Sequence, residues 1–211
     1  MKRVWFAAVL LAVFLALSHG CASRPCHRAS SESAADVMVL SNRDYFPEVH
    51  ELFQQAQSSI DVMMFSARYY TGKPSFAGEI EHVTGTPWSN TNVLLDDLVA
   101  AVERGVRVRV ILDSSNWNES NTELNGKFGQ LLLAGGVAVY MDDPEITTHT
   151  KLILIDDSLT VVGSTNWSYY ALETNNETSV LIRSREVNRV YKEYFSEVLA
   201  HSTMLSMAEG E

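Results

Sequence analysis

The stretch His149-Thr150-Lys151-Leu152-Ile153-Leu154-Ile155-Asp156, its return run Leu159-Thr160-Val161-Val162 and the following Gly163-Ser164-Thr165-Asn166 decide how this chain is read. His149 and Lys151 stand two residues apart, so on a strand they project from the same face. Residues 152–155 are apolar on both faces, which predicts a central, fully buried strand. A histidine and a lysine at the mouth of such a strand are costly unless something anionic meets them. Residues 156–158 turn the chain, and residues 159–162 return as a second buried strand. Residues 163–166 then open a short helix, and small donors at a strand-to-helix turn predict an anion seat made by free backbone N–H groups.

Outward from this hairpin, strand and helix patterns alternate. Residues 35–40 read as the first strand, 44–58 as an amphipathic helix and 59–65 as a buried strand whose one odd member, Asp61, reads as a strand-end charge and not a catalyst. Residues 69–90 hold Gly72, Pro74, Gly78, Gly85 and Pro87 without any sustained period, and read as a loop on the substrate side. A helix over 93–104 ends at Gly105. A strand follows over 106–113, where Arg107 and Arg109 read as solvated charge. Residues 114–125 are a polar loop, 124–134 a helix and 137–141 a strand. After the central hairpin come a short helix, a strand over 178–182 and a final amphipathic helix over 184–202, with a frayed tail beyond His201. The alternation predicts an α/β/α sandwich around a largely parallel sheet.

The N-terminus has a different character. Met1-Lys2-Arg3 precedes an uncharged apolar run over residues 5–17, shorter than the roughly 20 residues a spanning helix needs, so an export signal is expected. Residues 17–21, Leu-Ser-His-Gly-Cys, resemble a lipoprotein signal in which Cys21 is the lipid anchor; plain cleavage near Gly20 or Ala22 and an uncleaved anchor are the alternatives. The expected division is a signal over 1–20, a flexible tether over 21–34, the catalytic domain over 35–203 and a tail over 204–211. The protein is thus expected to be exported to the periplasm or cell envelope and tethered to the membrane. With only Cys21 and Cys26 present, the fold does not rest on disulfides.

The formal net charge is −10, and loss of Lys2 and Arg3 with the first 20 residues makes it −12. Such a balance counts against indiscriminate binding to DNA or to anionic lipid, both of which rely on positive fields. The six histidines show no paired ligand spacing, so no metal is assigned, and no cofactor loop or serine nucleophile elbow is present. The chemistry-bearing residues therefore lie in the hairpin and just after it. His149 is the neutral nucleophile or proton carrier. Lys151 is a fixed positive charge for a phosphoryl oxygen, and Ser164 and Asn166 are neutral donors to the same group. Glu177, one short helix later, is placed to accept from the far ring nitrogen of His149. This set suits in-line displacement at phosphorus by an imidazole.

The pattern resembles the phospholipase D superfamily, whose signature is H-x-K-x4-D followed by G-S-x-N. Here it reads His149-x-Lys151-x4-Asp156, then Gly163-Ser164-x-Asn166, with Asn175-Asn176-Glu177 similar to the family's N-x-E element. The resemblance implies a phosphohistidine intermediate on His149, phosphate binding by Lys151, Ser164 and Asn166, orientation of His149 by Glu177, and a supporting place for Asp156 in the catalytic set. It also implies a second histidine to protonate the leaving group. One motif copy is present, as in the subgroup of bacterial endonucleases and mitochondrial cardiolipin hydrolases that pair two protomers, so a homodimer with one composite site is implied. The expected activity is phosphodiester hydrolysis without a cofactor, with a phospholipid headgroup as substrate. A metal-independent endonuclease acting on DNA or RNA is the alternative, and the intact motif argues against an inactive binding module.

Overall fold

The computed structural model describes residues 35–74, 80–82 and 89–207. The expected signal, the tether, Cys21, Cys26 and part of the loop over 69–90 lie outside the described residues. Ten strands and five α-helices follow in order: β1 (Asp36–Ser41), α1 (Tyr45–Gln55), β2 (Ser59–Met64), β3 (Gly72–Pro74), β4 (Ile80–His82), α2 (Asn90–Glu103), β5 (Arg107–Leu112), α3 (Glu119–Ala134), β6 (Ala138–Met141), β7 (Lys151–Ile155), β8 (Leu159–Gly163), α4 (Tyr169–Glu173), β9 (Thr178–Arg183), α5 (Arg185–Leu199) and β10 (Thr203–Met204). Eight strands form one sheet in the order β1-β9-β8-β7-β2-β5-β6-β10, and β3 pairs with β4 apart from it.

The single large sheet with flanking helices bears out the α/β sandwich, but the sheet is mixed rather than largely parallel. Only β2–β5 and β5–β6 run parallel; the other five pairings are antiparallel. Parallel neighbours need a crossover of a dozen or so residues, and α2 and α3 supply it in the first half of the chain. Residues 156–158 are too short to cross over, so β7 and β8 form a hairpin, and β9 pairs antiparallel with β8 in turn.

One face of the sheet carries the main core, where Val62, Val110, Ile153 and Val161 meet Phe53, Leu98, Phe128 and Trp167. The other face carries a smaller core of Met63, Ile111, Leu152 and Leu154 against Phe195 of α5. Cross-strand rows extend this second face outward: Leu152 pairs with Val162, Val162 with Val180 and Val180 with Val39. A parallel row runs from Leu154 through Thr160 and Ile182 to Val37. Packing by α5 falls mainly on β7 and β8, and Val37 and Val39 at the end of the rows are 52% and 62% exposed.

Three further expectations are corrected. The helix expected from residue 124 begins at Glu119, capped by Asn118, whose side chain accepts from the Asn121 N–H. Its inward positions include Asn121 and Asn125, both buried, so the first turns lack the apolar period that marks a core-facing helix. The tail is not frayed from His201: β10 pairs with β6, and Leu205 donates its N–H to the Val139 carbonyl. Asp61 is no strand-end charge. It is buried in mid-β2 opposite Arg109, which donates to both carboxylate oxygens at 2.7 and 2.8 Å. Arg109 in turn lies 4.9 Å from the centre of the Phe195 ring, so it is a packed ion-pair member and not solvated.

Candidate active site

The topology gathers one end of the sheet into a site. Chain leaves β2, β5 and β6 at this end, enters β7, leaves β8 and enters β9. Phe65, Asp113, Asp142, His149, Lys151, Ser164, Asn166 and Glu177 therefore all belong to segments at that end. The carboxyl ends of parallel strands are where open α/β sheets commonly build their sites.

Lys151 opens β7 opposite Met64 and is buried, while His149 is exposed. The Lys151 Nζ donates to the His149 carbonyl at 2.8 Å and lies 3.2 Å from Nδ1 of the imidazole. An ammonium only donates, so Nδ1 serves as its acceptor. Phe65 supports both groups: its ring centre is 4.4 Å from that of His149 and 4.8 Å from Nζ. Burial pushes the Lys151 pKa down from the ordinary lysine value, and the charges of Glu177 and Asp113 work against that shift.

The loop that carries His149 is held from beneath by Asp113, a fully buried residue. Its Oδ1 accepts from the Thr148 N–H at 3.0 Å and from Ser115 Oγ at 2.6 Å. Asn125 donates to the carbonyls of Phe65 and Asp113 and accepts from the Ala67 N–H. Asn121 donates to the Phe65 carbonyl as well. Satisfied buried polar networks of this kind fix geometry. Neither Asp113, Phe65 nor Asn125 stands out in the sequence; the one available signal is a run of polar residues at helical spacing just after a strand.

On the other side, Gly163 closes β8. A Cβ there would lie 2.4 Å from the Ser179 Cα and 2.4 Å from the Thr178 carbonyl oxygen, so only glycine allows β8 and β9 to meet at this point. Ser164 Oγ donates to Glu177 Oε2 at 2.5 Å and accepts from the Thr178 N–H at 3.1 Å. Asn175 Nδ2 donates to Glu177 Oε1 at 3.1 Å. Here Glu177 thus holds Ser164 and Asn175, and its carboxylate makes no hydrogen bond to His149. Asn166 has a buried Oδ1 with no hydrogen-bond partner. Trp167, fully buried, anchors the loop through Nε1 to the Tyr45 hydroxyl at 3.1 Å and through its N–H to the Ser66 carbonyl.

One amide of the expected anion seat is taken up by the sheet. The Ser164 N–H donates to the Thr178 carbonyl, and α4 starts only at Tyr169 behind its own cap, Ser168.

Asp156 is not brought to this site. It lies at the far end of β7, in left-handed backbone with φ 50°. Its carboxylate accepts from the Ser58 N–H and Oγ, both at 2.8 Å, from the Ser59 N–H at 3.0 Å and from the Gln57 N–H at 3.2 Å. Burial raises its pKa, but the donors of Ser59, Ser58 and Gln57 outweigh that and hold it below the ordinary carboxylate value. Asp156 fastens the β7–β8 turn to the start of β2, a supporting place about 16 Å from Lys151 given their separation of five residues and the strand rise of about 3.3 Å per residue.

A cavity of about 170 Å³ lies behind the His149 loop, between Asp142, Thr147 and Thr148 and the α5 side chains Tyr194 and Val198. A wider, open groove of about 910 Å³ runs along α5 beside Asp157. It is away from His149, and its Arg189 and Lys192 are paired with Glu186, Glu193 and Asp157. Among the described residues, no group of three or more His, Cys, Asp and Glu side chains is arranged to hold a metal ion.

Mitochondrial cardiolipin hydrolase of Xenopus tropicalis is 33% identical over 92 residues, covering 44% of this chain and 41% of that protein. Phospholipase D of Rickettsia felis is 34% identical over 96 residues, covering 44% of each. The chain therefore spans less than half the length of these relatives. Among solved structures, Nuc of Salmonella typhimurium, a phospholipase D family member, superposes with a TM-score of 0.63 at 19% identity over 82% of this chain and 99% of that one, which shows the fold. The family described as cardiolipin synthase, PLD-like domain, matches residues 49–199. With that match covering well over half its length, the chain belongs to the phospholipase D superfamily.

Proposed function

We propose that this protein is a phospholipase D-type phosphodiesterase in which His149 is the nucleophile and a phospholipid headgroup ester is the substrate. The observation that carries the reading is the pairing of an exposed imidazole with a buried lysine ammonium 3.2 Å away, at the sheet end to which Ser164, Asn166 and Glu177 also belong. In the proposed first step a ring nitrogen of His149 forms a bond to phosphorus as the bond to the leaving oxygen breaks, and that oxygen takes a proton from a second histidine. Water then gives its proton to the second histidine and attacks phosphorus, releasing His149. Lys151 neutralises the phosphoryl oxygens throughout, with Ser164 and Asn166 as neutral partners. Glu177 acts through Ser164, which it holds in place.

One chain supplies one such histidine, and the half-covered sheet face supports a homodimer that supplies the other. The rows ending at Val37 and Val39 leave aliphatic strand surface beyond the reach of α5, and a second copy related by a two-fold axis would cover it. The expected export signal favours a lipid as substrate, and the acidic charge counts against a nucleic acid as it does against a strongly anionic lipid. The test is one assay series: wild type and His149→Ala on phosphatidylcholine vesicles, cardiolipin vesicles, and single- and double-stranded DNA. Vesicle hydrolysis, lost by several orders of magnitude in His149→Ala, is the expected result. Cleavage of DNA alone would replace the lipid with a nucleic acid and keep the chemistry; full turnover by His149→Ala would overturn the mechanism.

A further inference from the structure

Two large apolar side chains stand out into solvent on the loops that frame His149. Trp117, after β5, is 68% exposed, and Ile146, three residues before His149, is 63% exposed. The two loops are joined. The Asn116 N–H donates to the Pro144 carbonyl at 3.1 Å and Asn116 Nδ2 to Glu145 at 2.7 Å. Trp117 Nε1 donates to Thr147 Oγ1 at 2.6 Å, and Ser115 Oγ reaches the same oxygen at 3.1 Å. The indole has therefore spent its polar handle inside the protein, which fixes the ring and leaves its apolar surface turned outward. Tryptophan in that condition suits a membrane interface, where one side of the ring meets hydrocarbon and the other stays wet.

We propose that Trp117 and Ile146 seat the mouth of the site on a zwitterionic bilayer surface. The inference rests on the phospholipid reading above. The charge around the pair selects this occupant: residues 114–118 carry no charge, and residues 142–148 carry Asp142, Asp143 and Glu145 with no base. A polyanion such as nucleic acid, or a strongly anionic membrane, would meet repulsion here. A neutral headgroup layer would not. Since Thr147 ties Trp117 to the loop of His149, insertion of the pair would hold the imidazole at headgroup depth, where the scissile phosphate lies.

The test uses the full chain, wild type and the variants Trp117→Phe, Ile146→Ser and W117A/I146A, with two readouts. In the first, spin-labelled phosphatidylcholine vesicles quench tryptophan fluorescence; the proposal expects quenching in wild type to drop in Trp117→Phe. In the second, turnover is compared on phosphatidylcholine vesicles and on the soluble diester bis(p-nitrophenyl) phosphate. Ile146→Ser, which removes no tie between the loops, is expected to lose vesicle turnover about fivefold with soluble turnover kept within twofold, and W117A/I146A to lose vesicle turnover at least tenfold. Equal quenching in wild type and Trp117→Phe would overturn the proposal, as would vesicle turnover that survives both substitutions. Loss of soluble turnover in Ile146→Ser would overturn it too, by making the residue structural. A drop in quenching with no lipid hydrolysis by wild type would uphold the seat and refute the lipid substrate instead. Weakened single-stranded DNA binding in Trp117→Phe without vesicle quenching would mark the ring as a base-stacking surface and overturn the seat.

Discussion

Replacing Asp156 by alanine removes the carboxylate from which the start of β2 hangs. Four donors converge on it, and their surroundings decide the magnitude. The Gln57 and Ser58 donors are exposed, so water takes the place of the carboxylate and each loss is small. The Ser59 N–H belongs to a buried residue, and leaving it unpaired costs about 1–3 kcal/mol. Alanine at a φ of 50° adds roughly 1 kcal/mol of backbone strain. Asp156→Ala is therefore expected to lose about 3 kcal/mol in all, or about 10 °C in Tm for a domain of this size. Asp156→Asn keeps an acceptor and tolerates the left-handed backbone, so about 1 kcal/mol is expected.

The pH dependence follows from the sign of the shift. The folded-state pKa of Asp156 is depressed, so its stabilisation is fully present above the unfolded value of about 3.9 and fades as pH falls through the folded value. The gap between wild type and Asp156→Ala should be constant from pH 7 to about pH 5 and narrow below about pH 4. Urea unfolding across that range measures it, with turnover assayed well below the lowered Tm. Both variants should keep wild-type turnover within about threefold. An Asp156→Ala protein as stable as wild type but a hundredfold slower would place Asp156 in the chemistry and refute the supporting assignment.

Gly163→Ala should cost at least about 2 kcal/mol, because its Cβ would meet the Ser179 hydroxyl, which can turn away, and also backbone atoms of β9, which cannot; an unchanged urea midpoint would contradict that. Val39→Asp puts a charge in the uncovered sheet face at a 62% exposed position, so the fold should survive while the dimer and its turnover are lost. Sedimentation velocity with a parallel activity assay checks this, and a fully active monomer would refute the composite site.

What the sequence discloses, and what it hides, follows from the kind of signal each residue leaves. His149, Lys151, Ser164, Asn166 and Glu177 were legible because their spacing along two strands and a turn survives as a pattern, and the fold returns them all to one sheet end. Asp156 is part of the same pattern, yet β7 alone separates it from Lys151, so a shared motif did not mean a shared site. Asp113, Phe65 and Asn125 were hidden because their work is done through contacts with distant segments, and Asn121 and Asn125 disguised the start of α3 by putting amides where a core-facing helix usually has apolar residues. Strand direction was hidden for β7, β8 and β9, whose apolar runs look alike in parallel and antiparallel sheets; only the shortness of residues 156–158 pointed the other way. Glu177 belongs to the same sheet end, but its carboxylate is engaged by Ser164 and Asn175 and not by His149, a preference no spacing records.

The central claim is that His149 bonds covalently to phosphorus. The most direct measurement is to quench the enzyme during turnover at alkaline pH, where a phosphorus–nitrogen bond survives, and to locate the adduct by peptide mass spectrometry. The account predicts the substrate's phosphoryl group, still carrying its remaining ester, on the peptide containing His149 and absent from His149→Ala. An adduct on another residue, or wild-type turnover by His149→Ala, would contradict it.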